Sequence, residues 1–359
     1  MTGQRICGAA KDTAKEAKAD YKLKVQQFLT PRPIKSISEI AFEDFAYDVI
    51  DGPFRQRKEQ ELMSPKTWEL YEQIYRINIK GSELGRKSLS SIVPADIERW
   101  VGKLYTQERI TQKGKKVFLS EPMRGSSKTR YLGMVQSVLE YAVKNEKLIA
   151  ENPAVDVPRP LDGESTSRAL TDQEVADLLK LCHHELPGNG GTWRNKRRHL
   201  IVLLGLHGFG PAEICGLKYS DFDGSGFTPR RQTQRLAKVG IVHRTRLKTK
   251  ARSARVPARE SIIDLLDRNG NGWIVCTETG GPMEPGNLRN VFKRMVSNTE
   301  FGDVTPYDLR HTFANELLRN GIDVKTAADL MRHSVETFLR RYVHSNESLK
   351  VDAIKKLGF

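Results

Sequence analysis

The chain has 359 residues, of which 59 are Lys or Arg and 44 Asp or Glu, for a net charge of +15, and 38% are hydrophobic. This length predicts two domains plus a tail. No apolar run reaches the roughly eighteen residues that a membrane span needs, and the N-terminus has no apolar signal core, so a cytoplasmic protein is expected. Cys7, Cys182, Cys215 and Cys276 lack CxxC spacing, and His183 and His184 are adjacent rather than four apart. Neither a disulfide frame, a metal site nor a cofactor is therefore expected. The basic excess favours a polyanionic partner, because each phosphate contact releases condensed counterions. It is concentrated in Arg194–Arg198 and across Arg230–Arg259.

In chain order, Met1 to about Lys35 is a polar, basic extension ending in Thr30-Pro31-Arg32-Pro33. Ser64 before Pro65 predicts a helix start, followed by the apolar stripe Trp68, Tyr71, Ile74 and Tyr75. A second helix is predicted over Ser91–Tyr105, a loop or ribbon over Ile110–Arg124, and a third helix from about Ser127 to Lys144, closed by Asn152-Pro153. The Pro, Gly and Ser residues of Val157–Ser167 mark a linker. These signals divide the chain into an extension (1–35), a helical domain (36–160) and a second domain with its tail (166–359). Thr171 and Glu174 form a capping-box pattern at the next helix. A buried helix at His199–Leu206, a short one from Pro211 to about Leu217, strands of a small antiparallel sheet within Phe227–Ala258, and helices from Asn287 onward follow. The fold class is mainly α with a small antiparallel β-sheet.

Four elements carry chemical side chains. Thr305–Ala314 puts Arg310 near a helix start after Pro306, and Leu330–Ser334 joins two helices at His333. Tyr342 follows His333 by nine residues (342 − 333 = 9), and Lys248-Thr249 leads into Ser253–Pro257 as a β-hairpin. Taken alone, Tyr342 shares a helix face with Val335 and Leu339 and reads as core.

Taken together, Tyr307–Tyr342 resembles the tyrosine recombinase (phage integrase) signature, with its LRHT box, its GHS box and a tyrosine nine residues on. The resemblance extends to Lys248-Thr249, to Glu213–Asp223, and to the N-terminal half at Thr67–Ile97 and Tyr141–Pro153, and so runs from about residue 36 to the end. It implies a SAM-like helical core-binding domain plus a catalytic domain, clamped around duplex DNA. The implied activity is site-specific recombination or integration through a 3′-phosphotyrosyl intermediate. Tyr342 would be the nucleophile, Arg310 and His333 would hold the scissile phosphate, Lys248 would protonate the leaving 5′ oxygen, and Tyr307 would hydrogen-bond the phosphate where the family usually has His. Lys250, two residues on, would share a strand face with Lys248 and competes for its role. A tyrosine nucleophile needs no metal, and a forked, permanently charged guanidinium suits a phosphate. The implied partners are double-stranded DNA attachment sites, a homotetramer on two paired sites and accessory directionality proteins, in a bacterial, archaeal or phage host. The segment Ser348–Phe359 would either dock on a neighbouring subunit or pack on its own domain.

One departure stands out. The turn His207–Glu213 puts Gly210 where the family's first arginine sits in its T-G-x-R-x-x-E pattern. Three readings stay open: a weakened or inactive recombinase fold that only binds DNA, another cation such as Arg252 or Arg255 entering the site, or a substitution that lowers activity while preserving the DNA complex. On the sequence alone, Gly210→Arg is expected to raise cleavage. A type IB topoisomerase is disfavoured by the separate N-terminal helical module.

Overall fold

The computed structural model describes residues 39–112, 115–161, 168–183, 191–245 and 253–343. The expectations for residues 1–35, Lys248, Lys250, Arg252 and 348–359 lie outside the described residues. The chain divides into two compact units, Met1–Gly163 and Glu164–Phe359. Each has its own apolar core. Among the described residues no helix is long and apolar enough to cross a membrane, and no group of three His, Cys, Asp or Glu residues could hold a metal ion.

Among its described residues the first unit is helical with one β-ribbon. Helix α1 (Phe42–Val49) runs through a π turn at Ile50–Phe54, which accommodates Pro53, into α2 (Arg55–Glu59). Phe42, Phe45, Ala46, Val49, Ile50 and Phe54 form its buried stripe. Helix α3 (Pro65–Ile74) starts where Ser64-Pro65 predicts it, but Ser64 makes no side-chain cap; the preset φ of Pro65 starts the helix. Of the predicted stripe only Ile74 is fully buried, while Trp68 donates to Ile50 O (2.9 Å) and Tyr71 bonds Ser137 (3.2 Å). After α4 (Pro94–Gly102), the segment left open as loop or ribbon is an antiparallel pair, β1 (Tyr105–Gln112) with β2 (Lys115–Pro122). Helix α5 (Gly125–Lys144) fills the centre with Leu132, Met134, Val135, Val138, Leu139 and Ala142. Asn152 ties the exit segment to it through Gln136 O (3.1 Å) and Glu140 Oε2 (3.0 Å).

The second unit opens on α6 (Asp172–Cys182), where Thr171 Oγ1 accepts from Glu174 N (3.2 Å) and Thr171 N donates to Glu174 Oε2 (2.7 Å), the capping box expected from the sequence. Helix α7 (Gly191–Gly205) crosses the core, with the run Leu200–Leu204 buried throughout. Helix α8 (Pro211–Ile214) follows a tight turn, and the strands come next: β3 (Gly226–Phe227), β4 (Gln232–Leu236), β5 (Gly240–Arg244) and β6 (Val256–Pro257). Among the described residues they form small antiparallel two-stranded sheets, β4 with β5 and β3 with β6. The first arm of the expected hairpin, Lys248-Thr249, lies outside the described residues. The last residues of Ser253–Pro257 pair back to Gly226-Phe227, with Val256 and Phe227 buried, and Arg255 clips the join by donating to Asp223 (2.6 Å) and Ser225 (2.6 Å). Helices α9 (Glu260–Ile263), α10 (Pro285–Val296), α11 (Pro306–Arg319), α12 (Val324–Leu330) and α13 (Val335–Tyr342) complete the unit. Cys182 and Cys215 are buried free thiols within it, and burial pushes the Cys182 thiol up to about 12 and Cys215 up as well.

Candidate active site

The site forms where the turns before α8 and α13 meet the first turns of α11. Glu213, the third residue of α8, reaches back so that its Oε2 accepts from Gly210 N (2.8 Å). This fixes a nearly buried carboxylate at the end of the His207–Gly210 turn. Gly208 has φ +80°, and a Cβ there would lie 2.6 Å from the Phe313 ring, so the turn requires glycine.

Helix α11 begins with Pro306 at its first position, and Asp308 Oδ2 accepts from Thr305 N (2.8 Å) and Thr305 Oγ1 (2.7 Å). That start aims Arg310 inward. Its Nη1 donates to Gly208 O (2.6 Å) and Glu213 Oε2 (2.7 Å), and its Nη2 to Met331 O (2.8 Å) and His333 Nε2 (2.7 Å). A guanidinium only donates, so His333 Nε2 accepts in this arrangement and the neutral ring carries its proton on Nδ1.

Tyr342 closes the cluster from α13. Its ring stacks on His333 (centroids 6.0 Å apart, 16° between planes) and meets His311 edge-on at 5.1 Å and Phe338 at 5.1 Å. The predicted stripe is corrected here: Val335 and Leu339 are 40% and 42% exposed, whereas Phe338 and Tyr342 are buried. Tyr342 therefore lies between two imidazoles rather than inside a purely aliphatic core. Tyr307 is half-exposed one turn before Arg310, near enough that a Cβ at Gly210 would lie 4.0 Å from its ring.

Arg310, His333 and Tyr342 thus come together, with Tyr307 beside them. Arg255 does not join them, because its guanidinium is held by Asp223 and Ser225. Three members of the cluster are not among the site residues expected from the sequence, although Glu213 closes the T-G-x-R-x-x-E turn and His311 stands in the LRHT box: Glu213, His311 and Arg332. Arg332 has φ +56° and a side chain with no exposure. Its Nη2 donates to Gly208 O (2.8 Å) and Glu213 Oε2 (3.2 Å), and its guanidinium lies 4.2 Å from the centre of the Phe209 ring. A left-handed backbone costs a non-glycine residue about 1–2 kcal/mol. The signal was present, since Arg332 stands where the GHS pattern has glycine.

Burial lowers the affinity of His311 for a proton, with the charges of Arg341 and Arg310 acting the same way and Asp308 opposing. His207, behind the turn, donates from Nε2 to Pro257 O (2.7 Å), and burial holds it down to about 4. The unfolded ring titrates near its ordinary value of 6.5, so between about 6.5 and 4 the unfolded chain binds more protons. Stability is expected to be intact above 6.5 and to fall, by on the order of 3 kcal/mol in total, as pH drops through that window. Urea titrations across this range should show the slope, and a His207→Gln protein should lack that component.

Residues 168–348 match the model of the phage integrase family. A tyrosine recombinase XerC-like protein of Caldanaerobacter subterraneus subsp. tengcongensis is 26% identical over 330 residues, covering 82% of this chain and 78% of the relative. Tyrosine recombinase XerC of Bacillus licheniformis is 26% identical over 255 residues, covering 67% of this chain and 79% of the relative. Among solved structures, the Tn1549 transposon integrase in complex with transposon right end DNA superposes with a TM-score of 0.69 at 17% identity, covering 89% of this chain and 100% of the other. A lambda integrase tetramer bound to a Holliday junction gives 0.54 at 18% identity, covering 91% and 89%.

Proposed function

This chain belongs to the phage integrase family and is a tyrosine-type site-specific recombinase, and from that premise we propose that it breaks and rejoins duplex DNA through Tyr342. The phenol oxygen attacks the scissile phosphorus as its proton passes to a neighbouring imidazole, His311 or His333, a 3′-phosphotyrosyl bond forms, and the 5′ oxygen leaves with a proton from Lys248, or Lys250 in its place. Arg310 and His333 take the non-bridging oxygens as negative charge gathers on them. Tyr307, at the rim, adds a hydrogen bond.

The observation that supports this reading is the chain of contacts Tyr342–His333–Arg310, which puts a phenol, an imidazole and a guanidinium within one buried cluster. In the resting protein all four Nη hydrogens of Arg310 are engaged. Phosphate binding through these Nη hydrogens replaces at least one protein acceptor, and His333 Nε2 is the one acceptor that can itself become a donor.

The proposed partners are double-stranded attachment sites, paired in a homotetramer as the lambda integrase complex suggests, with accessory directionality proteins choosing the direction. The protein would act on DNA in the cytoplasm.

The test is a covalent-adduct assay on nicked duplexes that the protein itself enriches from a randomised pool. The wild type is expected to give a slow-migrating protein–DNA band on a denaturing gel, and Tyr342→Phe none. Specific binding with no adduct from the wild type would instead make the chain a DNA-binding module on a recombinase fold.

A further inference from the structure

We propose that Arg332 is a positioning residue that replaces, from the turn before His333, the guanidinium that Gly210 cannot supply. The inference rests on reading Arg310, His333 and Tyr342 as the strand-cleaving site. Three observations carry it.

First, Arg332 and Arg310 share the same two acceptors. Both donate to Gly208 O, at 2.8 and 2.6 Å, and both to Glu213 Oε2, at 3.2 and 2.7 Å. Second, position 210 points into the same space. A Cβ built there would lie 3.6 Å from Glu213 Oε2 and 3.9 Å from Arg310 Nη1, both ordinary contact distances. A side chain at 210 would thus enter the polar group that Arg332 already joins from another turn. Third, Arg332 combines a left-handed backbone with a charged side chain that has no exposure. A plain turn residue requires neither, and such outliers persist where the surroundings hold them for a purpose.

The charge balance gives that purpose. Glu213 paired with Arg310 alone is a neutral couple with little net pull on a phosphate. Two guanidiniums less one carboxylate leave a formal +1. With both its Nη2 acceptors shared with Arg310, Arg332 acts through Glu213 and Gly208 rather than on the substrate. It shares Glu213, leaving Arg310 positive toward the anion, and it anchors the Gly208 carbonyl and the turn that carries His333.

The expectation for Gly210→Arg therefore reverses. On its own it puts a third guanidinium around one carboxylate oxygen and should lower cleavage. Joined to Arg332→Gly, it returns the guanidinium to the first turn and should restore cleavage.

The experiment compares Arg332→Gly, Arg332→Lys, Gly210→Arg and the double variant Gly210→Arg/Arg332→Gly as full chains. Single-turnover adduct formation is measured on the enriched nicked duplexes, beside affinity for the intact duplex and thermal melting. Arg332→Gly is expected to slow the adduct step by about 10²–10³-fold with duplex affinity little changed. Arg332→Lys should recover part of this, and the double variant should cleave at least about tenfold faster than Arg332→Gly. On a duplex with a methylphosphonate at the scissile position, which removes the phosphate charge, the Arg332→Gly deficit should shrink.

Wild-type rates in Arg332→Gly would overturn the proposal. So would a double variant no faster than Arg332→Gly, or equal losses of melting temperature, affinity and rate with the same deficit on both phosphates, which would make Arg332 a plain staple. If Arg332→Gly does not fold, Arg332→Lys and Gly210→Arg decide: wild-type rates in both would overturn the proposal. No Tyr342-dependent adduct from the wild type would overturn the reading of the site itself, whereas a normal wild-type adduct indifferent to position 332 would overturn only this inference.

Discussion

Replacing Glu213 with Gln is expected to destabilise the second unit by about 3–5 kcal/mol, the cost of leaving buried charge unpaired. One oxygen of this carboxylate accepts from Gly210 N, Arg310 Nη1 and Arg332 Nη2, all within 3.2 Å. Glutamine keeps the size and one carbonyl acceptor, so packing around the turn is little disturbed. What it removes is the negative charge between two guanidiniums that are themselves nearly buried. Hydrogen exchange of amides in α8, α11 and the turn before α13 is the direct readout, since all three elements meet at this carboxylate. A loss below about 1 kcal/mol, the scale of an ordinary hydrogen bond, would show that the arginines are neutralised elsewhere. Combining Glu213→Gln with Arg332→Gly should recover part of the loss, because the double variant buries one cation fewer.

This carboxylate also marks the limit of what the sequence makes legible. The spacing between His333 and Tyr342 is local, carried by one turn and one short helix, and local spacing survives folding. The capping box at Thr171 and Glu174 is legible for the same reason. The contact between Glu213 and Arg332 spans 119 residues and depends on how two turns approach one another, which no local pattern specifies. The ribbon β3–β6 likewise joins segments far apart in the chain, Gly226-Phe227 and Val256-Pro257, which no local pattern brings together. Charge pointed to the polyanionic partner but not to which cations are free to meet it. Within Arg194–Arg198, Arg194 pairs with Glu278, Lys196 with Asp267, and Arg197 lies over the Trp193 ring. Within the second basic stretch, Arg231 is tied to Asp221, Arg235 to Glu284, Arg255 to Asp223 and Arg259 to Glu316. Composition counts cations and cannot see these partners. Most of the pairs are solvent-exposed, however, and exposed pairs are worth little, so a phosphate backbone can displace the carboxylates at small cost.

Arg310→Lys is expected to reduce the rate of adduct formation by about 10²–10³-fold while changing affinity for the intact duplex far less. Arg310 makes four hydrogen bonds through its two Nη atoms, to two carbonyls, one carboxylate and one imidazole. This planar fork ties α11 to the turns before α8 and α13 at once. Lysine keeps the charge but is a single ammonium with three donors on a flexible stem, so it cannot span both turns in one plane. The Glu213 attraction should draw that ammonium toward the carboxylate and away from His333. His333 would then lose the donor that fixes its tautomer, and with it the defined ring plane on which Tyr342 stacks. The damage should therefore fall on the chemical step, where geometry is most exacting, rather than on binding, to which many other phosphate contacts contribute. The measurement separates the two by timing adduct formation at saturating duplex and determining the dissociation constant on the same DNA at fixed salt. Equal losses in both would make Arg310 a residue that holds the fold or the DNA. A rate loss alone would assign it to the reacting phosphate.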